Sequence, residues 1–450
     1  MHRLIPRLLA LAAVLHLTAA SVTTQTPSRD PAELELARTI SRSPQAIGDH
    51  LCVKLREGSG AELVSGVLRS RTGFDLAGVN TLFGMARAEP LFTVMSWDEL
   101  DLWHRRACAN LPVDNRPGHL GLWFRLVTPT VEQADWLFER LWAEPMVEHV
   151  VKEPRGTPAG MPMRRRRSMP TDIPPPTPLF TSLQGTFEPT PLGHSIWRGQ
   201  GVLGARGQGV RVEMIELEWD LDHEDVSQCV AANFVGAIPT PGGQAGHGTA
   251  GASIVSADRN EYGFTGIADE VAMRFYPTNS NGGIANTILT AGANCQVGDV
   301  LMMVMMYMLG QNGGADWVPY EIVQPIFDAS LTVTGNGRVM VVSAGNGDNN
   351  LDDPRLVRRF DRSYRDSGVL IVSASDGSLL PKAPFANFGS CIDAHSWGDD
   401  VCVCGVPTLF FPNNDIRQAY SADGTGTSSA VPAIAGIAAA LQGASAQQLG

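Results

Sequence analysis

From residue 210 onward the sequence repeatedly produces short apolar strand candidates, VRVEMI, VAMRFYP, DVLMMVMM, RVMVVSAGN and GVLIVSAS, several of them near-continuous. A strand that is wet on one face alternates apolar and polar residues. A strand covered on both faces does not need to, and parallel strands flanked by helices are of that kind. Segments of helical pattern lie between the runs, and YEIVQPIFDASLTVTG (Tyr320 to Gly335) reads as a crossover helix. Strand and helix in alternation imply an α/β domain built on a parallel sheet. No internal repeat is visible.

Ahead of this region the pattern is different. ADWLFERLWAE (Ala134 to Glu144) sets Leu137, Phe138, Leu141 and Trp142 at helical spacing, while LGLWFRLVT and VEHVV read as strands. Residues 21–155 are therefore expected to form a separate small α+β domain. Residues 156–178 are rich in proline, lack an apolar period and read as an extended linker. That linker carries Arg164-Arg165-Arg166-Arg167, which in an exported chain is an expected processing site. The second domain is expected to span 179–450.

The first twenty residues combine a basic start (MHRLIPR), an apolar core (LLALAAVLHL) and the small residues Thr18 and Ala20. That order is the order of a secretory signal, and the core is too short to span a bilayer. DVLMMVMMYML is also short and suits a buried strand, so no membrane span is expected. A secreted protein follows, and seven cysteines agree with an oxidising compartment, although their pairing cannot be read. Cys402-Val-Cys404 lacks zinc-knuckle spacing. Of the 450 residues 44% are hydrophobic and 18% charged, and nothing in the net charge of −12 suggests nucleic acid as a partner.

Three strand or helix ends carry reactive groups. VRVEMI runs into Glu216, and a carboxylate where a strand leaves the core is costly unless something nearby uses it. GHGTAGASIV places His247 between two glycines, ahead of a helix-like run. GTGTSSAVPAIAGIAAALQG opens a small-residue helix with Ser428 at its start and Pro432 expected in its first turn. Taken singly these are a strand-end carboxylate, a loop histidine and an N-cap serine. Together, acid, His and Ser in that chain order form one of the known orders of a nucleophilic triad.

At this point the sequence resembles the subtilisin-like serine peptidases, the subtilases, over residues from about 170 to 450. His247-Gly248-Thr249 with Gly266-Ile267-Ala268 is similar to the family's histidine region, and Gly426-Thr427-Ser428-Ser429-Ala430-Val431-Pro432 to its nucleophile motif. Ala344-Gly345-Asn346-Gly347 resembles the segment that donates to the oxyanion, and Phe385-Ala386-Asn387-Phe388-Gly389 a stretch that precedes the nucleophile. The resemblance implies a subtilisin-like parallel sheet with helices on both faces and a propeptide that assists folding and inhibits. It also implies a secreted endopeptidase acting on proteins or peptides, with Ser428 as nucleophile, His247 as base and Asn346 in the oxyanion hole. No cofactor is implied for the chemistry, although the family admits structural calcium.

The departure from the family falls on the acid. Counting back from His223-Glu224-Asp225 sets Glu216 where the family has aspartate, with Leu217 and Glu218 in place of small residues. A second alignment, to members reading Asp-x-Glu and then Trp, sets Met214 at the aspartate position and keeps Glu216 and Trp219. Under both, Glu216 is the best-placed carboxylate, and glutamate serves as triad acid in some hydrolases. The alternative is a weakened or inactive relative that binds peptides without cutting them. No match to the family's substrate-binding strand is clear enough to carry residues over. Met305, Met306 and Tyr307 read as core before pocket wall. The acidic stretch Asp348 to Asp353 reads as a solvated turn before a cation site. The sequence given ends at Gly450, sooner after the nucleophile segment than the family pattern, as in a fragment or a short form.

Overall fold

The computed structural model describes residues 30–155, 172–240, 245–310, 316–377 and 380–449. The signal segment, the tetra-arginine run and residues 156–171 lie outside them.

The N-terminal part begins with α1 (Pro31–Ser41), whose first turn is capped by Asp30, and β1 (Ala46–Leu55). A short hairpin, β2 (Ala61–Val64) and β3 (Val67–Ser70), is followed by α2 (Ala77–Phe83) and β4 (Arg87–Pro90). Next come α3 (Trp97–Asn110), β5 (Trp123–Val127), α4 (Val131–Ala143) and β6 (Val147–Pro154). Ser96 and Glu99 close a reciprocal capping box at the start of α3. The helix and strands expected in this part are present, and the sheet is antiparallel in the order β4-β5-β1-β6.

The second part holds α5 (Ile196–Gly199), β7 (Arg211–Glu216), α6 (Ala245–Ser256), β8 (Ala272–Pro277), α7 (Ile284–Asn294) and β9 (Val300–Met303). It continues with β10 (Tyr307–Met308), β11 (Trp317–Val318), α8 (Gln324–Gly335), β12 (Val339–Ser343), β13 (Leu370–Ser375) and β14 (Ala394–Trp397). β15 (Val401–Cys404), β16 (Tyr420–Gly424) and α9 (Thr427–Leu449) complete it. The main sheet has six strands in the order β14-β13-β12-β9-β7-β8, and every pairing in it is parallel. All five apolar runs are strands of this sheet. The run DVLMMVMM leaves the sheet after Met303, and its continuation turns into the antiparallel hairpin β10–β11.

Alternation along β7 sends Val212 and Met214 into a cluster with Ala252, Val255, Ala430 and Val431 of α6 and α9. Ile215 faces the other way, into a cluster with Ile284, Ile288, Ile326 and Val333 of α7 and α8. The sheet is thus covered on both faces, which is why its strands could be nearly continuous in apolar residues. Helix α9 is long and apolar enough, by length and composition, to cross a membrane. Here its Ala430, Ala433, Ala435 and Ala439 are fully buried inside the domain.

The second apolar cluster does not stop at the domain boundary. Leu36, Ile40, Phe92, Trp123 and Val151 of the N-terminal part belong to the same cluster as α7 and α8. Polar contacts reinforce it: Trp123 Nε1 donates to Asp328 on α8 at 2.9 Å, and Lys54 Nζ lies 3.8 Å from the same carboxylate.

Three findings differ from the sequence reading. Pro432 lies inside α9, beyond its first turn, because the helix already starts at Thr427. Having no N–H, it cannot bond the carbonyl of Ser428 four residues back. Residues 172–178, read as the end of the linker, are bonded to the second domain. Glu224 accepts from Ile173 N at 2.8 Å and from Thr177 Oγ1 at 2.5 Å, and Gln418 Nε2 donates to Pro175 O at 3.0 Å. Finally, all seven cysteines are free and six of them are buried, so they act as small core residues and not as crosslinks.

Candidate active site

β7 ends at Glu216, whose side chain is fully buried. His247 stands in the first turn of α6, not ahead of it as the flanking glycines implied. Those glycines are there because backbone passes close by. A Cβ on Gly248 would lie 2.1 Å from Glu218 O, and one on Gly246 would lie 2.4 Å from Gly405 O. Thr249 stitches the strand exit to the helix: its Oγ1 accepts from Asp220 N at 2.9 Å and donates to Ala245 O at 3.1 Å.

The result brings His247 Nδ1 to 3.6 Å from Glu216 Oε2. That is too long for a hydrogen bond, and it is an ion pair when the imidazole is protonated. Among the described residues, neither Glu216 oxygen nor His247 Nδ1 has a hydrogen-bond partner, so each is the polar group nearest to hand for the other. Burial alone would lower the His247 pKa. The adjacent Glu216 carboxylate outweighs it, and the balance lies above the ordinary imidazole value. Met214, the residue of the second alignment, is core. Trp219 Nε1 points at its sulfur at 3.4 Å, and a Cβ on Gly251 would lie 2.7 Å from its Cε.

Ser428 is the second residue of α9 and is partly exposed. Asn346 follows β12 in the loop 344–347. Its Oδ1 accepts from Thr427 N at 2.9 Å and from Thr427 Oγ1 at 2.7 Å. Thr427 Oγ1 is in turn 2.6 Å from Ser343 Oγ. With Oδ1 taken twice, the amide plane is set and Nδ2 faces the other way. A Cβ on Gly426 would lie 3.1 Å from that Nδ2 and 3.0 Å from Ser428 Oγ, which sets the donor and the hydroxyl against the same glycine. At the start of α9, Thr427 N is taken by Asn346 Oδ1 and Ser429 N donates to Gly426 O at 3.0 Å, which leaves the N–H of Ser428 between them as the candidate anion donor.

The His223-Glu224-Asp225 stretch works differently from what its place in the motif suggests. His223 Nε2 donates to Ala419 O at 3.0 Å, and its Nδ1 accepts from Asp225 N at 3.2 Å. Burial pushes its pKa down to about 4, so it stays neutral. Glu224 accepts from Tyr420 Oη at 3.0 Å, and Asp225 from Phe264 N at 2.7 Å. His223 and Glu224 thus fasten the segment at Ala419 and Tyr420, where β16 begins, while Asp225 fastens the loop at Asn260 and Phe264.

The acidic stretch 348–353 is engaged with protein groups. Asp348 meets Lys382 Nζ at 2.7 Å, Asp352 accepts from Ser390 N at 2.8 Å, and Asp353 caps the turn at Arg355. Among the described residues, Glu213, Cys295 and Asp299 have donor atoms within 4.8 Å of one another and could hold a cation. Asp299 there already accepts from Arg211 N at 2.9 Å and Gln296 N at 2.7 Å.

Sequence reasoning brought Glu216, His247, Asn346 and Ser428 to this region by motif. Asn387 and Thr427 lie within the motifs but had no role assigned there, and Ser343 was not singled out. The signal that could have found Thr427 was its place next to the nucleophile at a helix start. Nothing local marks Ser343.

A family profile described as the subtilase family matches residues 207–448. No curated protein matches the chain. Among solved structures, it is similar to proteases from Pseudoalteromonas arctica PAMC 21717, with 22% identity over 61% of this chain and 87% of that one and a TM-score of 0.40. It is also similar to fervidolysin from Fervidobacterium pennivorans, a keratinolytic enzyme related to subtilisin, with 14% identity over 87% of this chain and 54% of that one and a TM-score of 0.49.

Proposed function

The chain belongs to the subtilase family, a family of serine peptidases with the subtilisin-like fold, and on that premise we propose that it is a secreted endopeptidase made as a zymogen. In the proposed reaction, Ser428 Oγ attacks the carbonyl carbon of a peptide bond. His247 Nε2 takes its proton and later gives it to the leaving amine. Glu216, facing Nδ1, keeps that nitrogen protonated and stabilises the imidazolium. Asn346 Nδ2 and an N–H at the start of α9 receive the developing oxyanion. Water then repeats the sequence on the acyl-enzyme. No step calls on a cofactor.

The observation that carries this reading is the pairing of a fully buried, otherwise unpartnered Glu216 with His247 at 3.6 Å. Catalytic hydrogen bonds are often long without substrate, and a glutamate brings one methylene more reach than aspartate. The same 3.6 Å gap is what favours the second reading, a weakened relative that binds peptides.

The N-terminal domain supports the zymogen. Tyr307 Oη donates to Ile40 O at 2.8 Å, and Met308 N donates to Gln45 Oε1 at 2.8 Å, so this domain holds β10, whose hairpin partner β11 carries the Trp317 carbonyl that accepts from Asn387. Cleavage at or near Arg167 is the proposed release step; N-terminal sequences beginning near Ser21 in every active preparation would count against it. The decisive experiment is a fluorophosphonate probe with a general peptide-cleavage assay, on the parent and on Ser428→Ala. Labelling and cleavage lost together in Ser428→Ala support the endopeptidase. A processed parent that neither labels nor cleaves leaves the binding-only reading.

A further inference from the structure

Asn387 is fully buried in the loop after β13, and its bonds have a pattern. Its backbone N–H donates to Gly345 O at 3.0 Å. Its side-chain Nδ2 donates to Ala344 O at 2.7 Å and to Trp317 O at 2.5 Å. Its Oδ1 accepts from Gly347 N at 3.0 Å and from Asn349 N at 2.8 Å. The partners lie at positions 344, 345, 347 and 349, on both sides of Asn346. Only an uncharged amide offers two donors on one end and two acceptor sites on the other. The loop wraps it so tightly that Gly345, at φ +104°, has no room for a side chain: a Cβ there would lie 2.5 Å from Asn387 Nδ2. Asn387 is itself anchored, since its carbonyl accepts from Ser373 Oγ at 2.6 Å on β13.

We propose that Asn387 is a positioning residue for the oxyanion donor: its amide grips the loop on both sides of Asn346, sets the direction of Asn346 Nδ2, and ties that loop to the Trp317 carbonyl on β11. The proposal rests on the role given to Asn346 above. Asn387 touches no reacting atom. Two supports converge on Asn346: Thr427 holds its oxygen end, and Asn387 holds the backbone on which it stands. Displacing a reacting or stabilising group by about 1 Å costs about 10²-fold in rate, so a loop relaxed by that amount loses most of what the donor supplies.

The test is a double-mutant cycle on the processed protein. Asn387→Asp keeps the shape and the acceptor end, loses both side-chain donors and sets a carboxylate against two carbonyls. It is expected to lower kcat by roughly 10- to 10²-fold with KM little changed. In an Asn346→Ala background the same substitution is expected to cause no further loss, because the group it positions is gone. Losses that multiply in the double variant, or a lowered Tm with unchanged kcat, overturn the proposal. Amide hydrogen exchange on the parent gives an arm that needs neither activity nor a folded variant. Slow exchange at Gly347 and Asn349 supports the grip, and exchange as fast as in an open loop overturns it. A parent that neither cleaves nor labels ends the peptidase reading, while the exchange result still decides whether Asn387 holds the loop.

Discussion

At the scale of single residues the proposed mechanism turns on one carboxylate, Glu216, proposed to stand where the family has aspartate. Glu216 is fully buried and its carboxylate has His247 as its neighbour of opposite character. Glu216→Gln keeps the size and removes the charge. In the chymotrypsin template, which is the source of the magnitude, the comparable aspartate change costs about 10⁴-fold in kcat, and a loss of that order is expected here. The pH profile is a second readout. The His247 pKa lies above the ordinary 6.5 because the carboxylate outweighs burial. The acid limb of kcat/KM should therefore have its midpoint above 6.5 in the parent and move to lower pH in Glu216→Gln. The linkage has a definite sign. A raised histidine pKa adds stability that is complete below the unfolded value and lost as pH rises through the folded one. The pair thus stabilises the fold most where the base is protonated and inactive. Asn346→Ala should lower turnover by about 10²–10³-fold while far-UV circular dichroism stays unchanged; an unchanged rate would remove Asn346 from the mechanism.

At the scale of elements, the ends matter more than the middles. The four candidate residues stand at or just beyond element ends: Glu216 closes β7, His247 lies in the first turn of α6, Asn346 follows β12, and Ser428 is second in α9. Helices α6 and α9 come close because their contact faces are built from small residues, among them Gly251, Ala252, Ala430 and Ala433. The first turn of α6 depends on Gly248, where an added methyl would lie 2.1 Å from the carbonyl of Glu218. Gly248→Ala sets side chain against backbone and forces the turn away from β7, taking His247 with it. The expected cost is about 1–3 kcal/mol in unfolding free energy, the usual range for overpacking. Peptidase activity should fall well beyond what the loss of folded protein explains. Chemical denaturation beside active-site titration measures the two separately. The helix start at Ala245 was not legible because glycines on both sides of a histidine read as loop. Close backbone contacts from elsewhere in the chain are what make glycine the fitting residue there.

At the scale of the whole molecule, the N-terminal domain and α8 share one apolar cluster and a buried charge group. Lys54 Nζ lies 2.9 Å from Glu57, 3.3 Å from Glu148 and 3.8 Å from Asp328, with only 4% of its side chain exposed. Asp328→Ala leaves the Trp123 N–H without an acceptor and weakens the hold on Lys54. It should loosen the docked domain by about 1–3 kcal/mol, read as earlier susceptibility of that domain to limited proteolysis. The same region carries a pH dependence. His119 stacks on Trp97 at 4.7 Å and lies 4.9 Å from His104. Burial depresses the pKa of both below 6.5, and for His119 the neighbouring His104 lowers it further. A depressed histidine pKa gives stability that is complete above the unfolded value and is lost as pH falls through it toward the folded one. The N-terminal domain should therefore unfold more readily as pH drops below 6.5, and Trp97 fluorescence during denaturation at stepped pH will register it. His119→Gln should flatten that dependence.

Some of this was written in the sequence alone. Short, nearly continuous apolar runs suit strands covered on both faces, and their alternation with helical segments implied a parallel sheet with helices. The motifs around His247, Asn346 and Ser428 were legible for the same reason: each is a few consecutive residues shaped by one turn. The identity of the acid was not, because two alignments set different residues at its position. The fold buries Met214 against α6 and sets Glu216 beside His247, which is what supports the proposal of Glu216 as the acid. The bracing of Asn346 was equally hidden, since Ser343, Asn387 and Thr427 are joined across up to 84 positions of chain. The single apolar cluster beneath both domains is of the same kind. Local periodicity reports which face of an element is covered, and it carries no information about what covers it. That is decided when distant segments must satisfy one another's buried polar groups at once.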